Sequence, residues 1–188
     1  QEKDYRVSAI DVGHTVATTL ADMKPDVCFN ALHGRFGEDG CIQGVLETLG
    51  IPYTHSGVLA SAMAMDKPLA KKLYDTVGLP CVEGGVFHRD QILAGDVMTA
   101  PYVIKPLNEG SSVGVKIVTG DENELPFQSE AWHYGSEVLV ERYVPGREVQ
   151  VAVLDNKALG AIEIRPTKQF YDYEAKYSDG FAEHLMPA

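Results

Sequence analysis

The sequence predicts an α/β unit with a partial open parallel sheet, followed by an α+β unit whose sheet is mostly antiparallel. Two observations carry this. Strand-like and helix-like stretches alternate up to about Thr54, and from Gly84 onward β-rich runs dominate with little helical capacity between them. The 188 residues suit one sizeable domain or two small ones, and 45% hydrophobic content allows a buried core.

In chain order, Tyr5 to Val12 is β-rich and partly alternating, and His14 to Met23 carries Val16, Leu20 and Met23 at helical spacing before Pro25. Asp26 to Asn30 reads as a buried strand running into the loop Ala31 to Gly40. Cys41 to Leu49 places Ile42, Val45, Leu46 and Leu49 on one helical face, and Gly50 closes it. Ile51 to Thr54 is a short extended piece. Ser56 to Met65 is helical and small-residue-rich. Asp66-Lys67-Pro68 then provides a cap and a first-turn proline for a helix over Leu69 to Val77, ending at Gly78. Gly85 to Phe87, Tyr102 to Lys105, Val115 to Val118, Glu137 to Glu141, Glu148 to Leu154 and Ala158 to Ile164 read as strands. Short helices are expected near Asp90 to Ala94 and Gln128 to His133. Pro166 to Ala188, with its tyrosines, reads as a lid-like loop. The division expected is 1–55, 56–144 and 145–188.

The net charge of −11 disfavours generic binding to nucleic acid or to an anionic membrane surface, and no apolar run approaches a membrane span. Cys28, Cys41 and Cys81 lack CxxC spacing and sit among apolar or small residues, so buried, reduced thiols and a cytoplasmic setting are expected.

The chemistry concentrates at strand ends. Tyr102 to Ile104 delivers Lys105 to a loop, Pro106 to Ser112, that is rich in backbone N–H groups and hydroxyls. A fixed ammonium beside consecutive N–H groups can hold a polyphosphate; an ordinary hairpin with a polar tip is the alternative. The loop His33 to Gly40 mixes glycines, a histidine, an arginine and two acids at a strand end, which reads as a site or as a polar turn. Lys67 alone reads as a solvated lysine. Glu141 and Glu148 flank the turn Val144-Pro145-Gly146, where structural carboxylates are common.

HGRFGEDG (33–40), MDK (65–67), VIKPLNEGSSVGV (103–115), VLVERYVPGRE (138–148) and FYDYEAKY (170–177) occur in an order that resembles the D-alanine–D-alanine ligases of the ATP-grasp superfamily. The resemblance implies ATP-dependent joining of two D-alanines through an acyl phosphate, for peptidoglycan precursor synthesis. It assigns Lys67 and Lys105 to ATP phosphates and Glu109, Gly110, Ser111 and Ser112 to the loop over them. Glu141 and Glu148 fall to the adenine amino group and ribose, and Arg142 and Val144 to the adenine edge. Ser111 also positions the first D-alanine, His33 and Glu38 lie near substrate, and Lys176 and Tyr177 lie on the closing loop, Lys176 also touching nucleotide.

The resemblance further implies Mg²⁺ or Mn²⁺, a homodimer, an N-terminal glutamate tied to the lid tyrosine, and metal ligands expected beyond Ala188; no metal ligand is assigned here. The 188 residues alone are expected to make no dipeptide. A D-lactate-using ligase, another carboxylate–amine ligase of the superfamily and a non-catalytic nucleotide-binding module are the alternatives.

Overall fold

The computed structural model describes residues 4–120, 127, 132–166 and 182–188. Four helices come first: α1 (Val16–Met23), α2 (Cys41–Thr48), α3 (Val58–Met65) and α4 (Lys67–Thr76). Then follow β1 (Gly84–His88), α5 (Arg89–Leu93), β2 (Tyr102–Lys105), β3 (Lys116–Val118), β4 (Glu137–Arg142), β5 (Glu148–Leu154), β6 (Lys157–Pro166) and β7 (Ala182–Leu185). The strands form two antiparallel sheets, ordered β1-β4-β2-β3 and β5-β6-β7.

The first sheet is built around its two central strands. Val138 and Val140 of β4 and Ile104 of β2 are fully buried. They pack with Ile92, Tyr102 and Val118, and Phe87, Trp132 and Phe127 cover the cluster's margin. This core pins the C-terminal ends of β2 and β4, where Lys105 and Glu141 stand. Register places Val103 opposite Glu141 and Lys105 opposite Leu139. In the second sheet, β5 and β6 meet at Asp155-Asn156, both with left-handed backbone, the conformation a tight two-residue hairpin requires. Glu163 of β6 is gripped by Arg165 and Arg147, whose hydrogen bonds pull its carboxyl from 4.5 to about 2.

A second cluster, Leu20, Ile42, Leu46 and Ile51, holds α1 and α2 together. Gly50, with φ of 69°, ends α2 as expected, and its N–H donates to Glu47 O at 3.0 Å. Asp66 caps α4 by accepting from the Leu69 N–H at 2.9 Å, with Pro68 in the first turn. Replacing Asp66 with Ala should lower stability by about 1 kcal/mol, read by chemical denaturation. An unchanged midpoint would show that the cap is dispensable.

The N-terminal expectations need correction. Tyr5 to Val12 forms no strand, and Tyr5 and Val7 are exposed. Asp26 to Asn30 is not a buried strand. It makes one parallel bridge, Cys28 to Tyr53, while Val27 and Phe29 are 61% and 81% exposed. An alternating sequence becomes a strand only where a neighbouring strand takes its backbone groups, and among the described residues these segments have only that bridge. The helix expected from His14 starts at Val16, and Val113 to Val115 precede the strand at Lys116. The thiols also differ: Cys41 and Cys81 are exposed and Cys28 is half-buried. Cys41's pKa is raised, first by its hydrogen bond to Asp39, which disfavours a reactive thiolate. The helix expected at Gln128 to His133 falls largely outside the described residues, as does all of 167–181, including Lys176 and Tyr177. No helix among the described residues is long and apolar enough to cross a membrane.

Candidate active site

A cavity of about 400 Å³ opens between α4, the antiparallel pair β2 and β4, and the loop after β2. Lys67, Lys105, Glu109, Gly110, Ser111, Ser112, Glu141, Arg142, Val144 and Glu148 all line it, although they are spread from position 67 to position 148 of the sequence. Val82, Val103, Val113, Val115 and Tyr143 supply its apolar and aromatic wall. The lining combines two lysines with apolar and aromatic side chains. A polyanion joined to a flat apolar ring matches that combination.

The loop after β2 has an unusual backbone. Ser111 and Ser112 both adopt left-handed φ, 52° and 61°, followed by Gly114 at 68°. Consecutive non-glycine residues in this region are uncommon, and such strain tends to persist at functional sites. Gly114 has a steric reason to lack a side chain. A Cβ there would lie 2.8 Å from the Pro106 ring and 2.9 Å from the Tyr134 ring. Lys67 braces the loop's other side: its Nζ donates to Pro106 O at 3.0 Å and Glu109 O at 2.5 Å, and its N–H donates to Leu107 O at 3.1 Å. Burial first, and the nearby Lys105 charge second, lower the Lys67 pKa; Glu109, Glu141 and Asp66 oppose them.

Glu141 is the electrostatic centre. Its residue is only 8% exposed. Oε2 accepts from Lys105 Nζ at 2.7 Å, and Oε1 accepts from Lys71 Nζ. Burial pushes the carboxyl up, but the hydrogen bonds and charges of Lys105 and Lys71 outweigh it, so the net shift is downward. Glu141 is therefore held as a carboxylate at the cavity wall.

The loop 33–40 closes on the same place. Gly37 O accepts from Asn30 Nδ2 at 3.0 Å and Gln43 Nε2 at 2.8 Å, and Glu38 Oε2 accepts from the Gly34 N–H at 2.6 Å. A Cβ on Gly110 would sit 3.3 Å from Gly34 Cα and 3.5 Å from Glu38 Oε2, so the two loops touch. Glu38 thus borders the loop carrying Ser111, and His33 lies exposed on the same turn. Among the described residues there is no cluster of three His, Cys, Asp or Glu able to hold a metal ion.

Lys71, Tyr143 and the valine wall were not singled out from sequence. Lys71 lies one helical turn from Lys67 on an amphipathic helix, where lysines ordinarily face solvent; the four-residue spacing was the available signal.

A family model described as D-ala D-ala ligase N-terminus matches residues 4–56, and one described as D-ala D-ala ligase C-terminus matches residues 73–188. The chain belongs to the D-alanine–D-alanine ligase family. Ligases of this family from Rhodospirillum rubrum and Mesorhizobium japonicum are 52% and 54% identical over the whole chain, which spans 63% and 62% of their lengths. Among solved family structures, the D-alanine–D-alanine ligase from Bacillus anthracis is similar with a TM-score of 0.74 at 33% identity; the match covers 98% of this chain and 62% of that one. The same organism's enzyme complexed with ATP gives 0.69 at 28% identity, over 92% of this chain and 56% of that one. A D-Ala:D-Ser ligase from Enterococcus faecalis gives 0.67 at 35% identity, over 87% and 50%.

Proposed function

We propose that the cavity between α4 and the first sheet binds ATP, and that the protein joins two D-alanines to D-alanyl-D-alanine for peptidoglycan precursor synthesis. The observation that carries the reading is the cavity itself: twelve residues drawn from MDK, VIKPLNEGSS and VLVERYVPGRE face one space. Family membership and the ATP complex of a relative support it.

In this reading Lys67 and Lys105 neutralise the phosphates, and the Gly110 to Ser112 backbone aligns them. Glu141, Arg142, Val144 and Glu148 take the adenine and ribose. The carboxylate of the first D-alanine attacks the γ-phosphorus, releasing ADP and giving an acyl phosphate. The amine of the second D-alanine then attacks the acyl carbon, phosphate leaves, and the amine's extra proton is lost. Phosphoryl transfer asks the protein mainly for alignment and charge, which two lysines and an ordered loop can supply. Ser111 positions the first D-alanine, with His33 and Glu38 on the neighbouring loop. Lys176 and Tyr177 serve as lid residues that keep the acyl phosphate dry.

Mg²⁺ neutralises phosphate charge in such chemistry. The described residues provide no ligand set for it, and no step above depends on their doing so. The same reading includes the division at 1–55, 56–144 and 145–188, which the change of sheet between Arg142 and Glu148 supports. It also includes an open parallel sheet in the N-terminal unit, for which the Cys28–Tyr53 bridge is a seed. A cytoplasmic homodimer completes it.

The test is product analysis on the full-length protein with ATP, Mg²⁺ and D-alanine. D-alanyl-D-alanine with stoichiometric phosphate is expected. Because a D-Ala:D-Ser ligase is among the structural relatives, D-serine and D-lactate belong in the same assay as competitors. A mixed product in preference to the D-alanine dipeptide would overturn the assignment of the second substrate.

A further inference from the structure

Glu141 holds two lysines at once, and they reach it from different sides. Lys105 comes from β2 and lines the cavity. Lys71 comes from α4, is absent from the cavity wall, and has a second anchor in Val82 O at 2.5 Å. Lys71 thereby ties three elements together: α4, the segment entering β1, and β4.

If Lys105 serves phosphate, the nucleotide competes with Glu141 for its ammonium. Where phosphate wins, Glu141 would be a nearly buried carboxylate without its nearer cavity cation, and desolvation would drive it to take up a proton. Among the described residues, Glu109, Arg142 and Glu148 share the cavity lining with it, and its cationic partners are lysines. Lys67 and Lys71 face it from α4 and Lys105 from β2, while β1 presents Gly84, which has no side chain. Lys67 places two of its three donors on the carbonyls of Pro106 and Glu109, leaving the third for phosphate. Gly84 cannot be changed to supply a substitute, because a Cβ would meet Val140 O at 2.3 Å and Glu141 Cα at 2.9 Å. Among the described residues Lys71 is the remaining cation that hydrogen-bonds Glu141, and it is absent from the cavity wall.

We propose that Lys71 is a positioning residue of the nucleotide site: it keeps Glu141 ionised and oriented from behind, so that Lys105 is free to exchange Glu141 for phosphate. The inference rests on the nucleotide reading above. It concerns a residue that would touch neither ATP nor D-alanine.

The experiment is ATP titration by calorimetry on the full-length protein and its Lys71→Met, Lys71→Arg, Glu141→Gln and Lys71→Met/Glu141→Gln variants, between pH 5 and 8. Lys71→Met should weaken ATP binding about tenfold, as expected for stripping a counter-ion from a partly buried carboxylate. KM for ATP should rise more than kcat falls, and Lys71→Arg should recover most of the loss. The sign of the pH effect follows from Glu141. Its pKa is depressed with both lysines present, and removing one raises it. ATP binding by Lys71→Met should therefore fall away on acidification at a higher pH than in the parent. In the Glu141→Gln background, Lys71→Met should add little.

If the parent binds ATP and Lys71→Met shows unchanged affinity and pH profile, the proposal is overturned. The same holds if the two substitutions are additive, which would make Lys71 a fold-stabilising residue only. Should Lys71→Met not fold, Lys71→Gln, which removes the charge but keeps a polar side chain, takes its place in the same cycle with Glu141→Gln. Failure of the parent to bind ATP would instead remove the nucleotide reading itself.

Discussion

Replacing Lys105 with Ala in the full-length protein should lower ATP-dependent phosphate release about a hundredfold or more, the loss seen when one charge-stabilising donor is removed from a preorganised site. Lys105 ends β2 directly after the fully buried Ile104, so its backbone is fixed by the core and its ammonium is delivered to the cavity with little freedom. The neighbouring lysines do not replace it. Lys67 is held at the loop by two of its three donors, and Lys71 approaches from outside the cavity. The variant should remain folded, because the truncation removes a half-buried side chain from the end of a strand rather than from the core. Stopped assays for inorganic phosphate, with circular dichroism as the folding control, make the measurement. Near-normal turnover would remove Lys105 from the phosphate role.

Glu141→Ala should act on both stability and binding. It removes the common partner of Lys71 and Lys105 and leaves three lysines, 67, 71 and 105, facing one another without it. Those side chains are partly exposed, 22% for Lys71 and 31% for Lys105, so solvent tempers the penalty. The expected loss is about 2 kcal/mol, between the small worth of surface pairs and the 3–5 kcal/mol for breaking a fully buried pair. Thermal unfolding reads that part. ATP affinity should fall further than in Lys71→Met, since the carboxylate itself is gone. Equal affinity in Glu141→Ala and the parent would contradict the place given to Glu141 at the centre of the site.

The same contrast between Lys105 and Lys71 shows what the sequence could reveal. Lys105 was legible because local pattern announces it: an apolar run, a charge at its end, then glycines and serines. Lys71 was not, because its meaning lies in a carboxylate 70 positions away on another element. In sequence it resembles Lys72, an ordinary lysine on an amphipathic helix. The antiparallel sheets and α2 to α4 followed from periodicity, caps and turn residues, which act within a few positions. Tyr5 to Val12 and Asp26 to Asn30 misled, because strand character there depends on pairing partners that no local pattern reports. The thiols misled for a related reason. Apolar neighbours in sequence did not bury Cys41, which stands exposed at the start of α2.

The central claim is that one cavity, between α4 and the antiparallel pair β2 and β4, holds the nucleotide. A crystal structure of the full-length protein with a non-hydrolysable ATP analogue tests it most directly. The account predicts phosphates against Lys67, Lys105 and the Gly110 to Ser112 backbone, adenine against Arg142 to Val144, and Lys105 moved from Glu141 to phosphate while Lys71 stays. An analogue bound elsewhere, or bound here with the Lys105–Glu141 pair intact and the phosphates distant from both Lys67 and Lys105, would contradict it.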